Sequence, residues 1–140
     1  MTPLEKDILI ITVQLEASIC SYYEKQLIID VIKNRTIQKY MSDGNIIDTC
    51  IYPYQFSCWN NENYDNFKKM LLWLDKNQEE YTYLSNLVDY TWNSKDESKG
   101  SLLYYSPAAM GGKMPNWNFN LLENTINTEY FKFYRLKNGK

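Results

Sequence analysis

Tyr130-Phe131-Lys132-Phe133-Tyr134-Arg135 is the stretch that decides the fold class. Phe131 and Phe133 fall on one side of an extended chain and Lys132 on the other, which is the two-residue period of a strand with one buried face. A strand needs a partner. Ser101-Leu102-Leu103-Tyr104-Tyr105-Ser106, bounded by Gly100 and Pro107, reads as the other strand, and the two are expected to pair. Almost everything before Asn93 reads as helix. The expected class is therefore α+β, a helical body with a small antiparallel sheet from the C-terminal third.

The helices announce themselves through caps and spacing. Thr2-Pro3-Leu4-Glu5 combines a capping hydroxyl, a proline at the first helical position and a carboxylate at the third. Ile8, Leu9, Ile11, Thr12, Leu15 and Ile19 follow at three- and four-residue spacing and predict one apolar face, with Glu16 inside the apolar segment. A second helix is expected from about Glu24 to Tyr40, with Leu27, Ile28, Val31 and Ile32 buried and the turn Ser42-Asp43-Gly44-Asn45 behind it. Ile46 to Tyr52 fits either a strand or a helical turn. Tyr64, Phe67, Met70, Leu71 and Leu74 mark a third helix, and Tyr81, Leu84, Leu87, Val88 and Trp92 a fourth. Asn93 to Gly100 is polar loop, and Ala108 to Pro115 is loop again.

Composition narrows the chemistry. A chain of 140 residues is the size of one domain, expected to span 1–140, and can bury a core without staples. No apolar run approaches the roughly 18 residues that cross a bilayer, so a soluble chain is expected. The start lacks the basic, apolar and small-residue succession of a secretory signal, which predicts synthesis in the cytoplasm. Cys20, Cys50 and Cys58 form no C-x-x-C and read as free thiols. A net charge of −2 offers no basic field for phosphates and argues against nucleic acid. The chain has 0 histidines, which removes imidazole-based nucleophile systems and the usual zinc sites; no metal or other cofactor is expected. Carboxylates, tyrosines, lysines and thiols remain. The 13 tyrosines and 4 tryptophans supply rings of the kind that stack on sugars, although such rings more commonly fill cores.

Several segments, taken in order, resemble one family. Glu16-Ala17 and Asn34-Arg35 stand at the spacing of the opening motif of the SleB-type cell-wall hydrolases, E-A-R-G-E followed by an apolar helix and N-R. Ile51-Tyr52-Pro53-Tyr54-Gln55-Phe56-Ser57 is similar to that family's V-I-Y-x-x-x-Q-F-S. Gly100 to Pro107 resembles its G-A-L-Y-Y-x-N-P strand, Pro115-Asn116-Trp117 its P-x-W element, and Tyr130 to Tyr134 its closing G-N-H-x-F-Y strand. Two departures stand out. Ser18, Ile19 and Cys20 replace R-G-E, removing the second carboxylate, and Tyr130 or its neighbour stands where the family has histidine.

The resemblance implies a lysozyme-like or lytic-transglycosylase-like helical body and cleavage of peptidoglycan between N-acetylmuramic acid and N-acetylglucosamine. Glu16 would be the catalytic acid and then base. Gln55, Phe56, Ser57, Tyr104, Tyr105, Trp117 and Tyr134 would line the substrate cleft, with one of Tyr104 and Tyr105 facing the core and the other the cleft. Trp117 and Tyr134 each have a core reading beside the sugar-binding one. Glycosidases commonly use two carboxylates. Asp30 and Asp48 are possible second ones without a motif behind them, whereas a transglycosylase needs one because the substrate supplies its own nucleophile. Asn34 and Arg35 read as structural, through capping or an arginine-to-backbone contact. Cys20 lacks a base to make it a nucleophile. The implied partner is peptidoglycan, reached after release from the cell or as part of a phage virion beside other virion proteins. The alternative is a weakly active or inactive wall-binding or virion module of the same fold.

Overall fold

The computed structural model describes residues 1–52 and 64–139. Five helices precede a three-stranded antiparallel sheet: α1 (Pro3–Ala17), α2 (Tyr22–Gln38), α3 (Ile46–Ile51), α4 (Tyr64–Lys76), α5 (Gln78–Trp92), β1 (Leu103–Tyr105), β2 (Leu122–Asn127) and β3 (Lys132–Leu136). The class is α+β, with the sheet built from the C-terminal third. No helix among the described residues is long and apolar enough to cross a membrane.

α1 starts as its first residues dictate. The Glu5 amide donates to Thr2 Oγ1 at 3.2 Å and the Thr2 amide to Glu5 Oε1 at 2.7 Å, a reciprocal capping box with Pro3 in the first turn. The single apolar face does not survive: Ile8, Leu9, Ile10, Ile11, Thr12 and Val13 are buried in succession. α1 is enclosed, packed by α2, α3, α4 and α5, and a surrounded helix has no solvent face to keep polar. Leu27 to Ile32 of α2 are buried in the same unbroken way, Asp30 included. α2 also begins earlier than its apolar spacing indicates, because Ser21 and Glu24 form a second capping box. It ends at Lys39, left-handed at φ 54°, whose amide returns to the Arg35 carbonyl.

Ile46 to Ile51 resolves as helix rather than strand, capped by Asn45, whose side chain accepts from the Asp48 amide at 2.8 Å. The expected pairing of the two aromatic strands is present. β3 lies between β1 and β2, with Leu103 opposite Tyr134 and Tyr104 opposite Phe133. β2 is an addition to the sequence reading; it pairs with β3 from Leu122/Leu136 to Asn127/Lys132, with an irregularity between Asn124 and Ile126.

Because side chains alternate across a sheet, β3 separates two cores. Tyr104, Ile126 and Phe133 face the helices and join the main cluster. Leu103, Tyr105, Leu122 and Tyr134 point the other way and, with Leu102, form a smaller cluster covered by Trp117 and Phe119 from the connection between β1 and β2.

Candidate functional site

Glu16 sits in the last turn of α1, half-buried, and no hydrogen bond or ion pair among the described residues reaches its carboxyl. Burial pushes its pKa up to about 7. The helix end works in the same direction, since the carbonyls there carry partial negative charge and no basic residue occupies the turn. A carboxyl in this setting holds its proton near neutral pH and releases it to an acceptor that arrives from outside.

Just beyond Glu16 the chain turns sharply, with the Cys20 amide donating to the Ala17 carbonyl at 3.0 Å. The Cys20 thiol is raised to about 11 by burial first and then by Glu24; Glu129 adds to the rise and Lys25 opposes it. It is a neutral thiol, not a nucleophile. Cys20 and Cys50 are both free.

Glu24 is 2% exposed and fully engaged. Its Oε1 accepts from the Ser21 amide and hydroxyl, both at 3.2 Å. Its Oε2 accepts from Thr128 Oγ1 at 2.6 Å and from the Tyr130 amide at 3.1 Å. Burial alone would raise its pKa, but the bonds from Thr128, Tyr130 and Ser21 outweigh it and hold the carboxyl below its ordinary value. The turn between α1 and α2 is thereby fastened to the turn between β2 and β3.

The aromatic candidates separate. Tyr104 faces the helical core, 5.2 Å from the Phe131 ring and 5.5 Å from Phe133, in the cluster that Leu15, Cys20 and Tyr130 also pack against. Tyr105, Trp117 and Tyr134 come together on the opposite face, with ring centroids 5.7 to 6.1 Å apart. Tyr105 and Tyr134 stack at 15° and share a hydroxyl hydrogen bond; burial first, then that bond, pushes the Tyr134 phenol to about 12. Phe119 closes the group, 5.4 Å from Tyr134. These rings satisfy one another. Gln55, Phe56 and Ser57 lie outside the described residues.

Asn34 and Arg35 act on the backbone of the segment entering β1. Arg35 is 3% exposed, and its Nε donates to the Leu102 carbonyl at 2.6 Å. Burial lowers its pKa to about 10, which leaves the guanidinium charged at neutral pH. The Asn34 amide donates to the Ser101 carbonyl at 3.0 Å and to Ser98 Oγ at 3.2 Å. Asp30 is buried beside this loop and accepts from the Glu97 amide at 3.0 Å; burial, chiefly, raises it to about 7. Asp48 is spent on the turn before α3, where it accepts from the Asp43 amide at 2.7 Å.

The groups that the sequence does not single out are Glu24 and its partner Thr128; Tyr130, noted only for the histidine it replaces, meets Glu24 through its backbone amide. Ser21-x-x-Glu24 is a legible capping signal. Its contact with a turn 104 residues later is not legible from spacing. No group of three or more metal-ligating side chains occurs among the described residues. Compared with protein-family models, with characterised proteins and with solved structures, the chain finds no match.

Proposed function

We propose that this chain cleaves the glycan strands of peptidoglycan by the lytic transglycosylase route, with Glu16 as its acid and then its base. The observation that carries the reading is the Glu16 carboxyl itself: half-buried at the end of α1, without a hydrogen-bond or ion-pair partner among the described residues, and raised by burial to about 7. A carboxylate kept for structure is normally engaged, as Glu24 is. One kept for proton transfer must be desolvated yet free to meet the substrate.

In the reaction Glu16 gives its proton to the oxygen that links muramic C1 to the next glucosamine, and the C1–O bond breaks. The C6 hydroxyl of the same muramic residue closes on C1 and passes its proton to the Glu16 carboxylate, which restores the acid. No water is consumed. An internal nucleophile has a high effective concentration, so the carboxylate absent at position 20 is not needed to orient a water.

A second reading, a wall-binding or virion module without turnover, is favoured by the neutral Cys20 thiol at the position of the missing carboxylate and by the mutual packing of Tyr105, Trp117 and Tyr134. Digestion of purified sacculi, followed by mass spectrometry of the soluble products, separates the two. Anhydro-muramic ends that disappear in Glu16→Gln support transglycosylation; new reducing ends would replace it with hydrolysis. Tight sacculus binding without any product would leave the module.

A further inference from the structure

Glu24 is the most heavily used buried carboxylate among the described residues, and its use crosses the fold. One oxygen closes the cap of α2; the other takes two donors from the β2–β3 turn. Thr128 and Tyr130 flank Glu129, so the two bonds bracket the tip of that turn and fix its backbone on both sides. The turn is also tied to itself, with the Thr128 amide donating to the Phe131 carbonyl at 2.9 Å and the Phe131 amide to Thr128 Oγ1 at 3.2 Å. Ser21, which holds the other oxygen of Glu24, directly follows the turn that the Cys20 amide closes on the Ala17 carbonyl, so the same carboxylate ties this tip to the turn at the end of α1. Tyr130 packs against the same core cluster as Leu15 and Cys20 on either side of Glu16.

A helix cap alone does not call for this arrangement. Ser21 and Glu24 satisfy each other, and an exposed glutamate at the third position does that work at the surface. Burying an anion costs free energy unless its oxygens are fully bonded, and here the second oxygen is spent on a distant turn. We infer that Glu24 is a positioning residue, which fastens the β2–β3 turn, with Glu129 and Tyr130 at its tip, as the wall against which the glycan is held beside Glu16. This inference rests on the proposed glycan cleavage for its substrate, but it concerns binding, and binding is measured separately.

The probe is a fluorescently labelled, uncross-linked glycan strand of alternating N-acetylglucosamine and N-acetylmuramic acid. Thr128→Val removes the hydroxyl from the clasp without touching the α2 cap, Thr128→Ser keeps it, and Glu24→Gln replaces the carboxylate. Expected are a Kd and KM about tenfold higher in Thr128→Val and Glu24→Gln, kcat within about threefold of the parent, and recovery in Thr128→Ser to within about twofold. Glu16→Gln should do the reverse, losing kcat and keeping Kd. Should the parent protein bind the strand but release nothing, the cleavage reading fails and the Kd series alone decides: weakening in Thr128→Val with recovery in Thr128→Ser upholds the role of Glu24. Equal Kd in all variants that retain a cooperative melting transition, or no binding by the parent, overturns it.

Discussion

At the scale of single residues the chain contains two kinds of buried carboxyl with opposite consequences for pH. Glu16 and Asp30 are both raised to about 7 by burial, from ordinary values of 4.5 and 3.8. The folded chain therefore holds protons that the unfolded chain releases, so folding stability falls as pH rises from about 4.5 to about 7 and then levels off. Glu24 is lowered, so its contribution is present above 4.5 and is lost as pH falls through its folded value. Urea denaturation at a series of pH values should show the first slope, and Glu16→Gln should remove its share. The variant is expected to match the parent near pH 4.5 and to exceed it by roughly 2–3 kcal/mol at pH 8. The same substitution should abolish glycan release, and release by the parent should decline above about pH 7 as the acid form of Glu16 is titrated away. An activity that rises from pH 7 to 9 would show that the protonated carboxyl is not the working form.

Among the elements, the union of α2 with the segment entering β1 is made by side chain to backbone bonds rather than by apolar packing alone. Arg35 Nε on the Leu102 carbonyl and the Asn34 amide on the Ser101 carbonyl hold that segment, while Asp96 accepts from the Ser98 and Gly100 amides, both at 2.8 Å. Gly100 takes φ 75° at this corner, a conformation that costs a residue with a Cβ. Arg35→Met should leave a buried carbonyl without its donor and lower stability by about 1–3 kcal/mol in urea denaturation. Arg35→Lys should recover little of it, because a flexible ammonium does not reproduce the fixed direction of Nε. Full stability in Arg35→Met would mean that the carbonyl finds another partner. These elements also show what spacing conveys. The cap at Thr2, the helical spacing from Tyr81 to Trp92 and the strand expected at Tyr130 to Arg135, which forms at Lys132–Leu136, were legible because each depends on neighbours a few residues away. β2 was not: in Leu122-Glu123-Asn124-Thr125-Ile126-Asn127 Leu122 alone is buried, and the pairing with β3 decides its conformation. The enclosed middles of α1 and α2 escaped for a related reason, since burial on all sides erases the spacing that marks a face. Around the candidate site, the apolar segment that carries Glu16 was legible from its spacing, whereas the Glu24 clasp joins segments that adjoin only after folding.

On the scale of the whole molecule the sheet divides the aromatic side chains into two populations, and that division assigns them different work. Tyr104 belongs to the helical side, with Phe131 and Phe133. Tyr105, Trp117, Phe119 and Tyr134 belong to the far side, where they bury one another beneath the connection between β1 and β2. A ring that receives a sugar must leave one face open to it, but Trp117 makes edge contacts with Tyr105 and Tyr134 and a tilted contact with Phe119. Its packing is that of the cover on a small core. Trp117→Ala should therefore cost about 2–4 kcal/mol of stability through the lost contacts and the cavity left behind. Affinity for glycan strands, measured where the variant is fully folded, should stay within about twofold of the parent. The reverse pattern, a stable Trp117→Ala with binding lost, would place the glycan on the far face of the sheet and detach these rings from the half of the molecule that carries Glu16.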